Sequence, residues 1–287
     1  MKLSNNIITI EVNEHGAELV SLKKGGREYL WSADPAYWNR HAPILFPAVG
    51  KPFNNELHVD GKAYPMKQHG YARDSEFEVI GDGHLRLIPG PLSESYPLRL
   101  GLEVCYRLDG NVVEVTWTVE NLDCCDAYFQ IGAHPGFMLP DYKAEDATHG
   151  FIRYYDRGEK PVLPVIVSAL EDGNRVHLEE SRRIPAEMPI EANTFAHDAL
   201  MFENGQVTKA VLCDKEGRKV LAVSCQQAEA YGIWAPHKEG CPFVCLEPWC
   251  GICDAKGFTG DISSRQYIHR LSPKEKYTFT YTIEVYQ

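Results

Sequence analysis

The sequence has no apolar run approaching the roughly 20 residues that a membrane-spanning helix needs. Met1 to Val12 carries a single lysine and no apolar stretch ahead of a cleavage site, so no secretory leader is expected. Basic charge is scarce, with 29 Lys and Arg against 40 Asp and Glu and a formal net charge of −11. That balance argues against nucleic acid and against an anionic membrane surface as partners. The even, spaced cysteines of a small disulfide-built domain are missing, because the count of nine is odd and Cys124 and Cys125 are adjacent. Reduced thiols, and hence a cytoplasmic location, are expected. No G-x-S-x-G, P-loop, dinucleotide glycine fingerprint or H-E-x-x-H occurs.

Strand–helix alternation is lacking too, which removes the parallel-sheet folds. Period-2 patterns are present instead. Val113, Val115, Trp117 and Val119 alternate with Glu114, Thr116, Thr118 and Glu120, in a hairpin that turns at Asp109-Gly110. Asp60-Gly61 marks a second hairpin and Gly81-Asp82-Gly83 a third. Segments 207–213 and 219–225 pair in expectation, and Tyr277 to Val285 supplies a last alternating strand. Asp34 and Pro35 predict a short capped helical turn through Trp38. Prolines at 43 and 47 bar residues 41–50 from being a regular central strand. The polar, proline-dotted stretch 141–183 holds strand-like pieces but no linker composition. Many short strands separated by turn signals predict an all-β fold, a large antiparallel sandwich, and one domain over residues 1–287.

Two histidines and a carboxylate stand out. His134 lies at the end of an apolar strand, flanked by Gly132, Ala133 and Gly136 and followed by Pro135. Glu247 follows the apolar run Phe243 to Leu246, where an unpaired acid is rare, with Pro248 and Trp249 next to it. His69 sits in a turn with Gly70, and Arg73 follows four residues on. An imidazole and a carboxylate so presented suit acid–base work on a small ligand, with Trp249 as a flat apolar wall. Metal ligation is the alternative. The run Cys241, Cys245, Cys250 and Cys253 departs from the usual paired zinc knuckles, so we read it as incidental and expect no metal.

Taken together, H-G-Y-A-R at 69–73, A-H-P-G-F at 133–137 and L-E-P-W at 246–249 resemble the aldose 1-epimerase, or galactose mutarotase-like, family, and within it the LacX-type branch. F-P-A-V-G-K at 46–51 and D-A-L-M-F at 198–202 fit as well. The resemblance implies a cofactor-free isomerase on a large antiparallel β-sandwich, interconverting the anomers of an aldose. It implies His134 as general acid on the ring oxygen, Glu247 as base on the anomeric hydroxyl, and His69 holding the ring region. Asp198 would be the sugar-binding aspartate, and Lys51 stands where the family often has arginine. Arg73, with Arg40 and Lys51 near the proline-rich run, would suit a phosphorylated hexose; a free aldose is the expected substrate. A non-catalytic carbohydrate-binding or sugar-sensing protein remains the competing class.

Overall fold

The computed structural model describes residues 1–88 and 96–286. Among them there is no α-helix, only strands and single 3₁₀ turns, and so no helix long and apolar enough to cross a membrane. Every ladder between the described strands is antiparallel, as the dense turn signals and alternating patterns require, and parallel contacts are confined to isolated bridges such as Phe46 with Gly70.

Among the described residues the larger sheet has nine strands. At its centre, Leu100–Asp109 pairs with Val112–Asn121, which in turn pairs with Lys276–Val285. The alternation sorts the two faces: Val113, Val115, Trp117 and Val119 are buried, while the intervening Glu and Thr residues stay partly exposed. In the last strand Phe279, Tyr281, Ile283 and Val285 are buried, but Tyr277, at the open end, is exposed. The six-stranded sheet carries Leu200–Phe202, Ala230–Trp234, Phe243–Cys250, Ile131–Ala133 and Ile44–Leu45 in that order, with Gly136–Met138 also paired to Phe243–Cys250. Its inward residues Phe46, Ile131, Phe137, Tyr231, Val244 and Leu246 share one core with Trp117, Phe279 and Ile283 of the larger sheet. Two sheets closing over one apolar layer make the β-sandwich. A four-stranded sheet from the N-terminus adds Ile8, Ile10, Leu19 and Leu22 to the same core.

The hairpins fall where the turn dipeptides put them. Glu56–Val59 pairs with Lys62–Pro65 across Asp60 and Gly61, both at positive φ (49° and 76°), the backbone that a two-residue hairpin turn demands. Lys209–Cys213 pairs with Lys219–Ser224. Asp34 caps a turn through its side chain, accepting from the Ala36 N–H, but the turn stops at Trp38 and no helix follows. Of residues 41–50, only Ile44–Leu45 forms a strand, at the edge of its sheet. The irregular stretch contributes three strands, Phe151–Tyr155, Val165–Glu171 and Asn174–Arg183, the last two forming a hairpin.

One glycine fixes how the 69–73 turn meets the smaller sheet. Gly70 has φ 71°, and a Cβ there would lie 2.1 Å from the Phe46 carbonyl oxygen. Gly70→Ala should therefore cost about 2 kcal/mol or more, combining left-handed strain with overpacking. A denaturant midpoint unchanged from wild type would show that the turn adapts freely.

Candidate active site

Strand Phe243–Cys250 is buried along its whole length, on both faces. Val244, Leu246 and Cys250 point into the main core. The opposite face carries Phe243, Cys245, Glu247 and Trp249, because alternate residues of a strand share a side. On one flank Ala230–Trp234 runs alongside, with Gly232 opposite Glu247. The other flank is split: Gly132 opposes Trp249, Gly136 opposes Cys245, and the chain departs from regular strand between them. Carried in from both sides, the register sets His134 opposite Glu247. Its Nε2 lies 3.2 Å from Glu247 Oε2. Glu247 is thus mid-strand rather than past the apolar run that precedes it, and Pro248 follows it next to the break in the neighbouring strand.

The small residues around His134 make room for aromatic rings of the protein itself. A Cβ on Gly132 would come 2.7 Å from Trp249, and one on Gly232 would come 2.5 Å from the same indole. Trp249 therefore lies flat across both flanking strands. Gly136 is likewise packed by Trp31, Phe243 and Trp38. Trp38 stacks on the His134 ring (4.8 Å between centroids, 28° between planes), and Trp234 and His69 meet the imidazole edge-on at 5.5 Å.

His69 is held in the left-handed region (φ 68°) by two bonds to Gly50. Its N–H donates to the Gly50 carbonyl, and its Nδ1 accepts from the Gly50 N–H at 3.1 Å. A neutral ring that accepts at Nδ1 carries its proton on Nε2, which lies 3.3 Å from the Gln68 side-chain amide. Arg73 Nη2 donates to the Gln68 carbonyl, and no carboxylate of the described residues lies within ion-pair distance of its guanidinium. Asp74 is taken instead by Arg40, at 2.7 Å.

These residues line a cavity of about 380 Å³, within the size range of small-molecule sites. His134, Glu247, His69, Arg73, Asp198 and Trp249 all reach it. Lys51 and Arg40 do not. The Lys51 ammonium donates to the Asp172 carbonyl, tying down the hairpin whose Leu170 and Gly173 form part of the wall. Arg40 faces Asp74 and the Arg73 carbonyl. The wall also contains Trp38 and Trp234, which sequence reasoning missed. Trp38 ends the capped turn begun by Asp34, and that turn was the one local signal of a constrained tryptophan.

Burial dominates the electrostatics. Glu247 is 1% exposed, so desolvation first and then the Asp198 charge push its pKa well above the ordinary carboxylate range, against a smaller lowering from the Trp249 indole N–H. Burial lowers His134 to about 3, and the nearby Arg73 and Arg40 charges push the same way. His69 is also driven well below the usual imidazole value, by burial first and then by His134. Two ionisable groups 3.2 Å apart titrate as a unit. Both shifts favour the uncharged forms, a protonated carboxyl beside a neutral imidazole.

The architecture defines a galactose mutarotase-like β-sandwich with a small-molecule-sized cavity lined by an imidazole–carboxylate pair. The chain belongs to the aldose 1-epimerase family, whose model matches residues 1–284. It is 27% identical over 301 aligned residues to protein LacX of Lactococcus lactis subsp. lactis, spanning 99% of both chains. It also superposes on a galactose mutarotase related enzyme from Lactobacillus acidophilus (TM-score 0.89, 28% identity, 100% of this chain and 97% of that one). A galactose mutarotase-like protein from Lactobacillus casei is nearly as similar (TM-score 0.88, 26% identity, 100% and 99% coverage).

Both site histidines should stay neutral well below the ordinary midpoint near 6.5. The unfolded chain binds those protons below about pH 6.5 and the folded chain does not, so this contribution to stability is complete above that pH and lost as pH falls toward the lowered values. Imidazole NMR signals of His134 and His69 should remain those of neutral rings down to about pH 5. A titration centred near 6.5 for either ring would contradict the role given to burial.

Proposed function

We propose that this chain is an aldose 1-epimerase acting on a free hexose, interconverting its α and β anomers by acid–base ring opening and closing. The observation that carries the reading is the His134–Glu247 pair, 3.2 Å apart and buried at the floor of a small-molecule cavity. Ring opening needs one proton delivered to the ring oxygen while another leaves the anomeric hydroxyl. Both oxygens are bonded to the same carbon, so an acid and a base in mutual contact are at the right separation to serve them together. The pair holds one proton between two groups, hence one donor and one acceptor at every stage.

In the bound state the anomeric hydroxyl would donate to Glu247, and other sugar hydroxyls would be met by His69 Nε2–H and the Asp198 carboxylate. Hydrogen bonds to the carboxylate replace part of the hydration that burial removed, and so favour its ionised form. The proton then sits on His134, ready for the ring oxygen. Glu247 takes the O1 proton, the ring opens, and rotation about the C1–C2 bond presents the other face of the aldehyde. The reverse transfers close the ring. Trp249, Trp38 and Trp234 offer apolar faces to the sugar's C–H surfaces. Nothing in this proton exchange calls for a metal or redox group.

A hexose 6-phosphate is a second reading, supported by Arg73, whose guanidinium lines the cavity without a carboxylate partner. Against it, Lys51 and Arg40 lie off the cavity, and Asp198 adds a negative charge to its lining. One guanidinium offset by one carboxylate suits hydroxyls better than a dianion.

Exchange NMR on free hexoses and their 6-phosphates tests this directly. Glu247→Gln and His134→Asn should each lower kcat by about 10²–10⁴-fold, the usual worth of a positioned acid or base. Glu247→Gln at wild-type rate would place the chemistry elsewhere. The rate should be bell-shaped in pH, falling on the acid side when the pair gains a second proton and on the alkaline side when it loses its only one. Arg73→Ala should weaken KM for free hexoses; a wild type that prefers the phosphates, with that preference alone lost in the variant, would overturn the free-sugar assignment.

A further inference from the structure

Cys245 has no part in the proton chemistry, yet it shares a strand face with Glu247 and lies one step from it. We propose that His134, Cys245 and Glu247 form a buried seat for a thiophilic divalent cation of the zinc class, and that occupancy of this seat shuts the sugar site. Only the shut-down rests on the epimerase reading; binding of the cation does not.

The three side chains present one nitrogen, one sulfur and one oxygen, all within 4.8 Å of one another. They are 8%, 0% and 1% exposed, respectively. Both Glu247 oxygens and His134 Nδ1 lack a well-aligned hydrogen-bond partner, so a cation seated here would interrupt the 3.2 Å His134–Glu247 contact and replace it with bonds to both groups. Bond lengths of about 2.0–2.3 Å put tetrahedral donors roughly 3.3–3.8 Å apart, so side-chain rotation of about an ångström completes the set. Nitrogen, thiolate and carboxylate together favour zinc over magnesium or calcium, which prefer oxygen alone. His134 and Glu247 line the cavity, so the fourth position would open toward it.

Charge balance favours the same ion. Cys245 carries one proton and the His134–Glu247 pair another. A dication that displaces both leaves the total charge of the buried cluster unchanged, avoiding the cost of placing net charge there. The other cysteines of the run stay out of it. Cys241 donates to the Phe243 carbonyl and Cys250 to the Gln227 carbonyl, while Cys253 packs on Gly50. Glu247 and His134 cannot ligate a cation and exchange protons with a sugar at once, so the ion acts as an inhibitor that competes with substrate.

Cobalt(II) alone serves as the probe. Cys124 and Cys125 are exposed and adjacent, so the titration is run in a Cys124→Ser/Cys125→Ser background. Cobalt should give a thiolate-to-metal charge-transfer band together with tetrahedral ligand-field bands, both erased by zinc. Cys245→Ala and Glu247→Gln should each weaken binding about 100-fold or more, since even outer-shell partners are commonly worth 10–100-fold. Zinc should slow anomer exchange relative to the metal-free rate, less so at high sugar concentration. Absence of the thiolate band, or a band of equal affinity in Cys245→Ala, overturns the site. Should Cys245→Ala fail to fold, cobalt affinity in Glu247→Gln decides in its place: a 100-fold loss supports the seat, and unchanged affinity overturns it. A clear cobalt spectrum in a protein without exchange activity would sink the epimerase reading alone; full activity without the spectrum would sink the cation seat alone.

Discussion

The contact between His134 and Glu247 depends on strand register more than on any attraction between the two groups. Gly132 against Trp249 and Gly136 against Cys245 lock the two short strands onto Phe243–Cys250 from either side of the break. A one-residue slip would turn Cys245, Glu247 and Trp249 into the core and bring Val244, Leu246 and Cys250 to the cavity. The buried apolar residues on the core face make that slip prohibitive. Hydrophobic burial on one side of a strand thus holds a carboxylate in place on the other.

That placement is costly for the carboxylate. An ionised glutamate buried this deeply is destabilised by lost hydration, which favours its protonated form. The aromatic cage contributes to the same effect. Trp38 and Trp234 pack on the His134 ring, and at Gly132 and Gly232 the Trp249 indole occupies the space where side chains would be. Gly132 and Gly232 therefore serve the site through packing, leaving His134 and Glu247 in a poised state rather than a strongly charged one.

Behind the cavity a second, polar layer holds the wall. Arg265 bonds Asp254 at 2.7 Å, Asp254 accepts from the Phe53 N–H, and Asn174 donates to the Lys51 carbonyl. Arg175 reaches Glu203 at 3.0 Å, and Ser168 donates to the same carboxylate. These bonds join the Val165–Arg183 hairpin to the segments around Gly50 and Cys253. Lys51, which the family resemblance placed among substrate contacts, acts here as a wall support. A long flexible ammonium can serve either use, and its neighbours decide which.

Much of this was legible in the chain itself. Turn dipeptides and period-2 alternation are local properties, so the antiparallel sandwich and its hairpins followed from residues a few positions apart. His134, Glu247 and His69 were legible because each breaks a local rule: a charged or titratable group set among apolar or glycine residues. Whether they meet was not legible, since residues 69, 134 and 247 come together only through sheet register and a turn anchored on Gly50. The same holds for Trp38 and Trp234, ordinary aromatics in sequence that become cavity walls by stacking on a distant imidazole. Arg40 and Lys51 show the converse, cations near the motifs along the chain whose partners in space draw them away from the cavity. Local sequence determined which elements form and which residues are chemically unusual; the tertiary structure decided their company, because burial and the distances between charges arise only when distant strands pack.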